Sequence, residues 1–490
     1  MTPPAGGALP RLSPLLSTAL LVAGCAAVGP DYEPPAISTP DEWTYAISAD
    51  LVSSRTGAQR WWRQFDDATL NRLIARSRSD NPNVKRARAR IAEGWYQRGV
   101  LAAAFYPHTD FYGRDEYGMG TFDSDGVKFD AGSSHDQLAQ IDAGWEIDLF
   151  GRIRRQVEAA DAEWEARTEG WRDALVFITA EVALHYIALR TLEDRIEVAE
   201  EAVTTFRDIH ELTVGREEEG LAAKVDVSES KARLRTSEAD VPQLRKEHAV
   251  VKNRLAALLG VHPGQINNYV RAGGSIPDPP RSIAVRFPAE LLRSRPDIRR
   301  AERKIAAQTA RIGVATANLY PQLSLSGAIT YEYLRTGTTV DLLRRTLGLG
   351  PTLRWRIFHA CADRYRIKEQ EAKLEEVLSD YEATVIAAVT EVENALARMH
   401  FEKRRLDKLE DASREHATTA ELMGEAYESD LVDLRRLLNA HQDLFLSRDE
   451  EAATRGRHAA HAVRLFKALG GGELPPPEST KSDSKLSGGE

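Results

Sequence analysis

The sequence predicts a mainly α-helical chain with a smaller membrane β part, built from a duplicated repeat. Three observations support this prediction: long helical patterns, a second copy of the same motifs, and four segments of alternating hydrophobicity. The chain has 490 residues and a formal net charge of −9, and this negative charge argues against a nucleic-acid partner. Length alone would suggest about three domains, but the duplication favours two repeats in one elongated body.

The longest helical pattern runs from Gly151 to about Leu212. Its seam advances in alternating steps of three and four, as in helices that pack knobs-into-holes. The seam residues are Leu175, Ile178, Val182, His185, Leu189, Leu192, Ile196, Ala199, Val203 and Phe206. A second pattern follows the break at Gly215–Gly220 and contains Pro242, which should kink it. Two long helices with a short Gly-containing connection form an antiparallel hairpin, here at about 151–260.

The chain repeats its own motifs at constant spacings. Ile91-Ala92 and Tyr106-Pro107 recur 214 residues later, and Glu181-Val182 and Arg254-Leu255 recur 210 residues later. Such self-similarity indicates an internal duplication. The predicted division is repeat 1 at 61–260, a Pro- and Gly-rich linker at 261–287, and repeat 2 at 288–470 with a second hairpin at about 361–470.

Four segments alternate between apolar and polar residues, at about 108–117, 139–149, 322–333 and 346–356, with a polar loop predicted from Met119 to Asp136. Alternation over about 10 residues with terminal aromatics is typical of transmembrane strands; a soluble hairpin packed on helices is the alternative. No stretch reads as the roughly 18 apolar residues of a spanning helix, so a membrane crossing needs a closed barrel. Four strands cannot close, whereas a dimer would supply eight and a trimer twelve.

The N-terminus predicts a lipoprotein. Residues 1–24 read as a signal peptide whose apolar segment is too short to span a bilayer. Leu21-Val22-Ala23-Gly24-Cys25 resembles the lipobox of bacterial lipoproteins, in which the cysteine is acylated; a plain signal peptide is the alternative. Residues 25–60 form a linker that is Pro-rich at 30–40 and not helical there. The tail at 471–490 has a composition typical of disorder.

Several motifs together point to a known family. They are Val28-Gly29-Pro30-Asp31-Tyr32, Trp61-Trp62 with Phe65, Asn81-Pro82, Trp145 to Arg152, and Arg295-Pro296-Asp297-Ile298. The chain resembles the outer-membrane factors of tripartite efflux systems, the TolC-like channels, in the lipoprotein branch of OprM and NodT. This resemblance implies a homotrimer with a twelve-stranded β-barrel in the outer-membrane lipid of a Gram-negative bacterium. It also implies a periplasmic α-barrel made of the long hairpins, a periplasmic adaptor (membrane fusion protein) and an inner-membrane pump of the RND type.

The chain departs from the family pattern in two places. His359-Ala360-Cys361 stands where the family has Asp-Gly-Gly after Phe358, which predicts a stiffer turn. The second hairpin tip reads Asp430-Leu431 where the first reads Gly220-Leu221. The resemblance implies adaptor contact at these four tip residues.

Acidic residues cluster at both predicted tips: Glu217, Glu218 and Glu219 at the first, and Glu425, Glu428, Asp430 and Asp433 at the second. Threefold symmetry would turn each into a ring of carboxylates that favours cations and repels itself; a solvated helix end is the alternative. The family has its periplasmic entrance at the second tip. Asp430 and Asp433 are therefore the candidate gate, and Arg435 and Arg436 could pair with them.

The sequence contains no motif of an enzyme. There is no P-loop pattern, no zinc-ligand spacing and no Gly-flanked nucleophilic Ser, so we expect no catalytic residue, no metal and no cofactor beyond a covalent lipid on Cys25. His458 and His461 are interpreted as a solvated helix face, and His185 and His248 as hydrogen-bonded core histidines. The favoured function is a passive exit duct, and the alternative is a periplasmic coiled-coil scaffold that never enters the membrane.

Overall fold

The structure, a computed structural model, describes residues 27–36, 40, 42–45, 51–53, 60–125, 127–271, 273–280, 283–285, 294–336 and 340–471. The predicted signal peptide, Cys25 and the tail beyond Gly471 lie outside these residues. The α-helices are α1 Ala68–Asp80, α2 Pro82–Ala102, α3 Arg152–Glu218, α4 Lys224–Leu258, α5 Pro296–Ala317, α6 Ala362–Glu428 and α7 Leu434–Ala468. The strands are β1 Leu51–Ser53, β2 His108–Ser124, β3 Val127–Ile147, β4 Ile283–Val285, β5 Gln322–Thr336 and β6 Val340–Arg354.

Two long helical hairpins, α3–α4 and α6–α7, dominate the described chain. α3 and α6 have 67 residues each, and α4 and α7 have 35 each, so the sequence repeat recurs as equal helix lengths. The predicted seam is buried, since Leu175, Ile178, Val182, Leu189 and Phe206 are at most 2% exposed. α4 continues through Pro242 without interruption.

Each repeat fastens the start of a shorter helix to the end of its hairpin. Asn81 Nδ2 donates to the Leu258 carbonyl at 2.8 Å, and Arg295 Nη1 donates to the Ala468 carbonyl at 2.7 Å. The donors are 214 residues apart and the acceptors 210, as in the sequence repeat. The last carbonyls of a helix lack partners within it. These two side chains therefore satisfy equivalent helix ends, which gives the Asn-Pro and Arg-Pro motifs a structural role.

The chain divides into two compact units, and each contains parts of both repeats. One unit contains residues 92–166 and 301–380 and includes the four-stranded sheet. The other contains residues 36–91, 167–300 and 381–471 and includes the largest apolar core. In that core, Tyr186 donates to Asp67 Oδ2 at 2.7 Å, and burial raises the pKa of Tyr186 to about 12. Asp67 also caps α1 by accepting the N–H groups of Thr69 and Leu70.

The main sheet is antiparallel with the strand order β2-β3-β5-β6. The central pair β3–β5 joins the two repeats. β1 and β4 form a separate parallel pair, so the segments predicted as linkers at 25–60 and 261–287 each contain a short strand. The second of them also contains a 3₁₀ helix at Pro263–Asn268.

Three strands differ in length from the prediction. The predicted loop from Met119 to Asp136 is wrong, because pairing of β2 with β3 continues to Ser124 opposite Val127. β6 begins at Val340 rather than near 346. Backbone hydrogen bonds between antiparallel strands do not depend on side-chain polarity. A run rich in Gly, Ser and Asp can therefore pair without showing the alternation that predicts strands.

Helix α3 is more apolar than the sequence analysis recognised. It contains an 18-residue window with a mean hydropathy of 1.5, which by length and composition alone could cross a membrane. The expectation that the chain contains no stretch apolar enough to span a membrane is therefore wrong, as judged by composition. Of that window, 67% is buried inside the chain, so the apolar residues serve helix packing.

The turn between β6 and α6 is strained. Ala360 has φ 45° and Cys361 has φ 62°, both in the left-handed region. A side chain with a Cβ is disfavoured there by roughly 1–2 kcal/mol per residue, whereas Gly is not. This backbone conformation would favour Gly at both positions, where the resemblance to the efflux family implies Gly-Gly.

We predict that replacing Ala360 and Cys361 together by Gly stabilises the protein. Relief of strain should exceed the extra conformational entropy that two glycines lose on folding. The free energy of unfolding should rise by about 1 kcal/mol. The midpoint of thermal unfolding, followed by circular dichroism in detergent, should rise.

The control is Ala372→Gly, at an exposed position in the interior of α6. There Gly should cost about 1 kcal/mol and lower the midpoint. Equal losses in both variants would contradict the strain at this turn.

Candidate functional site at the apolar sheet and the hairpin tips

The four-stranded sheet has one apolar and one polar face. One cross-strand row joins Phe111, Ile141, Ile329 and Leu347, and the adjacent row joins Tyr112, Gln140, Thr330 and Thr346. Adjacent rows point to opposite faces. The large side chains of the first row are 49–78% exposed, so the chain itself does not cover the apolar face. The predicted alternation is confirmed, and such a face requires lipid or another protein.

The apolar face has the height of a membrane band. From Leu323 to Tyr333 it extends over ten residue steps of β5, or ~34 Å along the strand at about 3.4 Å per step. At the tilt of roughly 40° typical of membrane barrels this spans about 26 Å, and the bands of such barrels are about 25 Å tall. Near the Leu323 end, Trp145 and Trp355 donate their indole N–H groups to backbone carbonyls at 2.9 and 3.0 Å. These tryptophans are 210 residues apart, so both repeats place an indole where membrane–water interfaces favour one.

Strands β2 and β6 form the two edges of this sheet. They have 17 and 15 residues, and neither outer edge is paired within the described chain. In lipid every backbone N–H and C=O must find a partner. If the apolar face meets lipid, another copy of the chain has to supply the missing strand partners. The strand directions alternate, so β6 of one copy can continue an antiparallel sheet with β2 of the next.

The two hairpin tips share one backbone motif. Gly220 has φ 76° and Asp430 has φ 56°, and both follow the end of a long helix. The next N–H groups, of Leu221 and Leu431, each donate back to a carbonyl of the last helical turn at 2.8 Å. This is the Schellman closure of a helix end. Asp is among the few residues other than Gly that adopt this conformation, and it adds a carboxylate to the second tip.

Arg216 links the two tips within one chain. Its guanidinium donates to Asp430 Oδ1 in a short contact and to the Tyr427 carbonyl at 3.4 Å. It also lies over the Tyr427 ring, 4.8 Å from the centroid. The hydrogen bond to Asp430 raises the pKa of Arg216 above its ordinary value. Exposed ion pairs contribute about 0–1 kcal/mol and exposed cation–π contacts about 0.5–1 kcal/mol, so each link is weak.

The predicted partners of Asp430 form other contacts. Arg435 pairs with Glu229 of α4 at 3.5 Å, and the Arg436 backbone N–H donates to Asp433 Oδ1 at 2.9 Å. Asp433 is therefore the N-cap of α7. Sequence reasoning missed Arg216, because no local pattern joins residues 214 positions apart. The gate role of Asp430, Asp433, Arg435 and Arg436 stays a prediction.

Each tip also exposes a leucine. The exposed fractions are 64% for Leu221 and 77% for Leu431, and the residues occupy equivalent positions after Gly220 and Asp430. An exposed apolar side chain at a helix turn is suited to contact another protein. Adaptor contact at these four residues stays a prediction.

The histidine pair on α7 is not a solvated face, so that interpretation is wrong. His458 is buried, and His461 Nδ1 accepts a hydrogen bond from Arg464 at 3.1 Å. Burial lowers the pKa of His461 to about 4, so its imidazole is neutral. His185 and His248 are half-buried and have polar partners, as predicted. Among the described residues, no group of three potential ligands is placed to hold a metal ion.

Comparison with known proteins agrees with this geometry. The family model for outer membrane efflux proteins matches residues 73–261 and 287–471. Nodulation protein T of Rhizobium leguminosarum bv. viciae is 27% identical over 463 residues, covering 93% of this chain and 92% of that protein. Outer membrane protein OprJ of Pseudomonas aeruginosa is 27% identical over 466 residues, covering 93% and 95%. The solved structure of the outer-membrane channel OprN matches with a TM-score of 0.80 and 31% identity, covering 91% of this chain and 99% of that one.

We predict that Leu347→Arg prevents stable insertion into lipid. A charge on the lipid-facing side costs roughly 2–4 kcal/mol near the bilayer midplane. The measurement is the yield of heat-modifiable, protease-resistant protein after folding into phospholipid vesicles.

Thr346→Arg is the matched control, since it is the preceding residue of β6 and points to the polar face. Its yield should remain near that of the unmodified protein. Similar losses in both variants would mean that the apolar face does not meet lipid.

Proposed function

This chain belongs to the outer membrane efflux protein family, and we propose that three copies form the passive exit duct of a tripartite efflux system. The observation that carries the proposal is the apolar sheet with two open edges. Three copies joined edge to edge supply twelve strands, which exceeds the about eight needed to close a barrel. A periplasmic adaptor and an inner-membrane pump of the RND type would deliver substrate and supply the energy. A coiled-coil scaffold outside the membrane would leave the apolar face without a partner.

We propose that a covalent lipid on Cys25 anchors each copy in the outer membrane. The segment after Cys25 is fastened to the start of α3. The Val28 N–H donates to the Phe150 carbonyl at 3.1 Å, and Arg155 donates to the Val28 carbonyl at 3.2 Å and to Asp31 at 2.7 Å. Val28 is three residues from Cys25, a span of at most about 11 Å. A lipid on Cys25 would therefore lie close to the Trp145 end of β3.

The internal repeat suggests how the copies join through their helices. Within one chain, Arg195 of α3 forms a two-pronged pair with Asp449 of α7 at 2.7 and 2.9 Å. The offset of 210 carries Arg195 to Arg405 on α6. It carries Asp449 to position 239 on α4, which Glu238 and Asp240 flank. We propose that α6 of one copy packs on α4 of the next as α3 packs on α7 within the chain.

The entrance of the duct would be held closed by the Arg216–Asp430 link, present three times in a trimer. Three weak links can resist spontaneous opening and still yield when an adaptor binds. The exposed Leu221 and Leu431 beside them offer that adaptor apolar contacts.

The gate prediction is tested by single-channel conductance of the purified protein in planar bilayers. Arg216→Ala or Asp430→Ala should raise the conductance several-fold, and the exchange Arg216→Asp with Asp430→Arg should lower it again. Asp433→Ala is less informative because Asp433 caps α7.

The control is Arg235→Ala, an exposed arginine of α4 whose ion pair with Glu238 lies within that same helix. Its conductance should stay at the unmodified level. An Arg216→Ala channel that conducts no better than this control would move the gate elsewhere, whereas no conductance from an inserted trimer would remove the duct itself.

The contact between copies predicts that Arg405→Glu weakens the trimer and that adding Asp240→Arg restores it. Each exposed pair contributes about 1 kcal/mol or less, and a trimer contains three. The readout is the temperature at which the trimer dissociates during gel electrophoresis.

Arg405 also pairs with Glu450 of its own chain at 2.7 Å, and Glu450 accepts a hydrogen bond from Arg457 at 2.7 Å as well. Glu450→Gln is therefore the control for these contacts within the chain. It should change the dissociation temperature less than Arg405→Glu. Failure of Asp240→Arg to restore the trimer would rule out this pairing.

A further inference from the structure

A charged cleft in the unit with the largest apolar core has no role in the proposed duct. Its volume is about 540 Å³, and residues of α3, α4, α6 and α7 line it. Its charged residues are Glu181, Arg254, Glu391, Arg398, Arg464 and Lys467. Four cations and two carboxylates give this lining a formal charge of +2 (4 − 2). Small-molecule sites typically have about 300–1,000 Å³, so the cleft is large enough for an organic ligand.

Each repeat contributes the same balanced pair to the cleft. Glu181 and Glu391 are 210 residues apart, and so are Arg254 and Arg464. These four residues come from four different helices and carry no net charge together. The residues that the duplication places in the cleft therefore sum to zero charge. The formal charge of +2 must come from other residues.

The excess comes from the second repeat alone. Arg398 stands where the first repeat has Ala188, and Lys467 stands where it has Ala257. Both cations line the cleft. Two positions that the duplication would leave as alanine have thus added positive charge to the same space.

The contacts within the described chain neutralise only the Lys467 part of this charge, since Lys467 has Asp173 near it and lies over the Phe177 ring. Glu391 already accepts a hydrogen bond from Arg295 at 2.9 Å. Within the described part of the chain, Arg254 and Arg398 form no ion pair. Arg464 donates to the neutral ring of His461 rather than to a carboxylate.

The neighbouring groups respond to this uncompensated charge. Burial, together with Arg464 and Arg398, lowers the pKa of His461, although Glu402 opposes that shift. Burial and Arg398 also lower the pKa of Arg464, although Glu181 opposes that shift. An anion in the cleft would offset the repulsion that these cations exert on one another.

We propose that this cleft binds a soluble dianion with phosphate or carboxylate groups, held by Arg398, Arg464 and Arg254. The planar guanidinium presents paired N–H donors that match the oxygens of both groups. Two negative charges balance the formal charge of the lining. All lining residues belong to one copy, so binding does not depend on the proposed channel or on its gate.

The test is calorimetric titration of the full-length protein in detergent, with sodium phosphate and sodium succinate in separate experiments at about pH 8, where both are mainly dianions, and at fixed ionic strength. One of the two should bind once per chain, which distinguishes a phosphate from a carboxylate ligand. Arg398→Gln and Arg464→Gln should each weaken that binding about tenfold or more, since each removes a charge-assisted hydrogen bond. Arg404→Gln, an exposed position of α6 that does not line the cleft, should change the affinity by less than about twofold under the same reasoning.

Two results would overturn the proposal. One is the absence of binding by either anion at millimolar concentration. The other is equal weakening in Arg398→Gln and Arg404→Gln, which would indicate general attraction to a cationic surface. Circular dichroism checks that each variant folds, and Arg464→Gln provides the decisive comparison if Arg398→Gln does not.

Discussion

A strand edge in lipid must be paired, and this requirement determines what kind of subunit the chain can be. The described sheet brings two strand pairs together through β3 and β5 and leaves β2 and β6 open. A side chain can be changed to suit its surroundings, but an unpaired backbone amide in hydrocarbon cannot. The apolar face and the open edges thus require an assembly of copies. The long hairpins have the same property, because helices with buried seams on one side still expose large apolar residues on the other.

Because the chain is duplicated, its two repeats use equivalent contacts at equivalent places. Asn81 and Arg295 satisfy equivalent helix ends with different chemistry, and Trp145 and Trp355 repeat one hydrogen bond unchanged. The two tips differ in charge but not in backbone. Asp430 keeps the backbone conformation of Gly220 and adds a carboxylate. Scaffold contacts have thus been kept in both repeats, whereas charged groups have been added to one. The cationic cleft follows the same rule, with a conserved neutral frame and added cations in the second repeat.

Sequence patterns predicted the elements whose side chains repeat regularly. The seam of α3 and the alternation in β3 and β5 are both periodic, and both were recognisable. The extension of β2 and β3 was not, because pairing there rests on backbone hydrogen bonds and the residues are small and polar. The partner of Asp430 was missed for a different reason. Local spacing favoured Arg435 and Arg436, whereas the actual donor, Arg216, lies at the end of the other hairpin and only the tertiary fold brings it close.

The two hydrogen-bonded tryptophans have a consequence for where the protein can reside. With their N–H groups fixed to backbone carbonyls, the indoles mark one boundary of the apolar band at a set depth. The band is about 26 Å tall once strand tilt is included, and each ångström of mismatch with the surrounding hydrocarbon costs a fraction of a kcal/mol. Bacterial outer membranes are thinner than average bilayers. The height of the apolar band therefore favours the thinner of two membranes by hydrophobic matching, independently of any targeting signal.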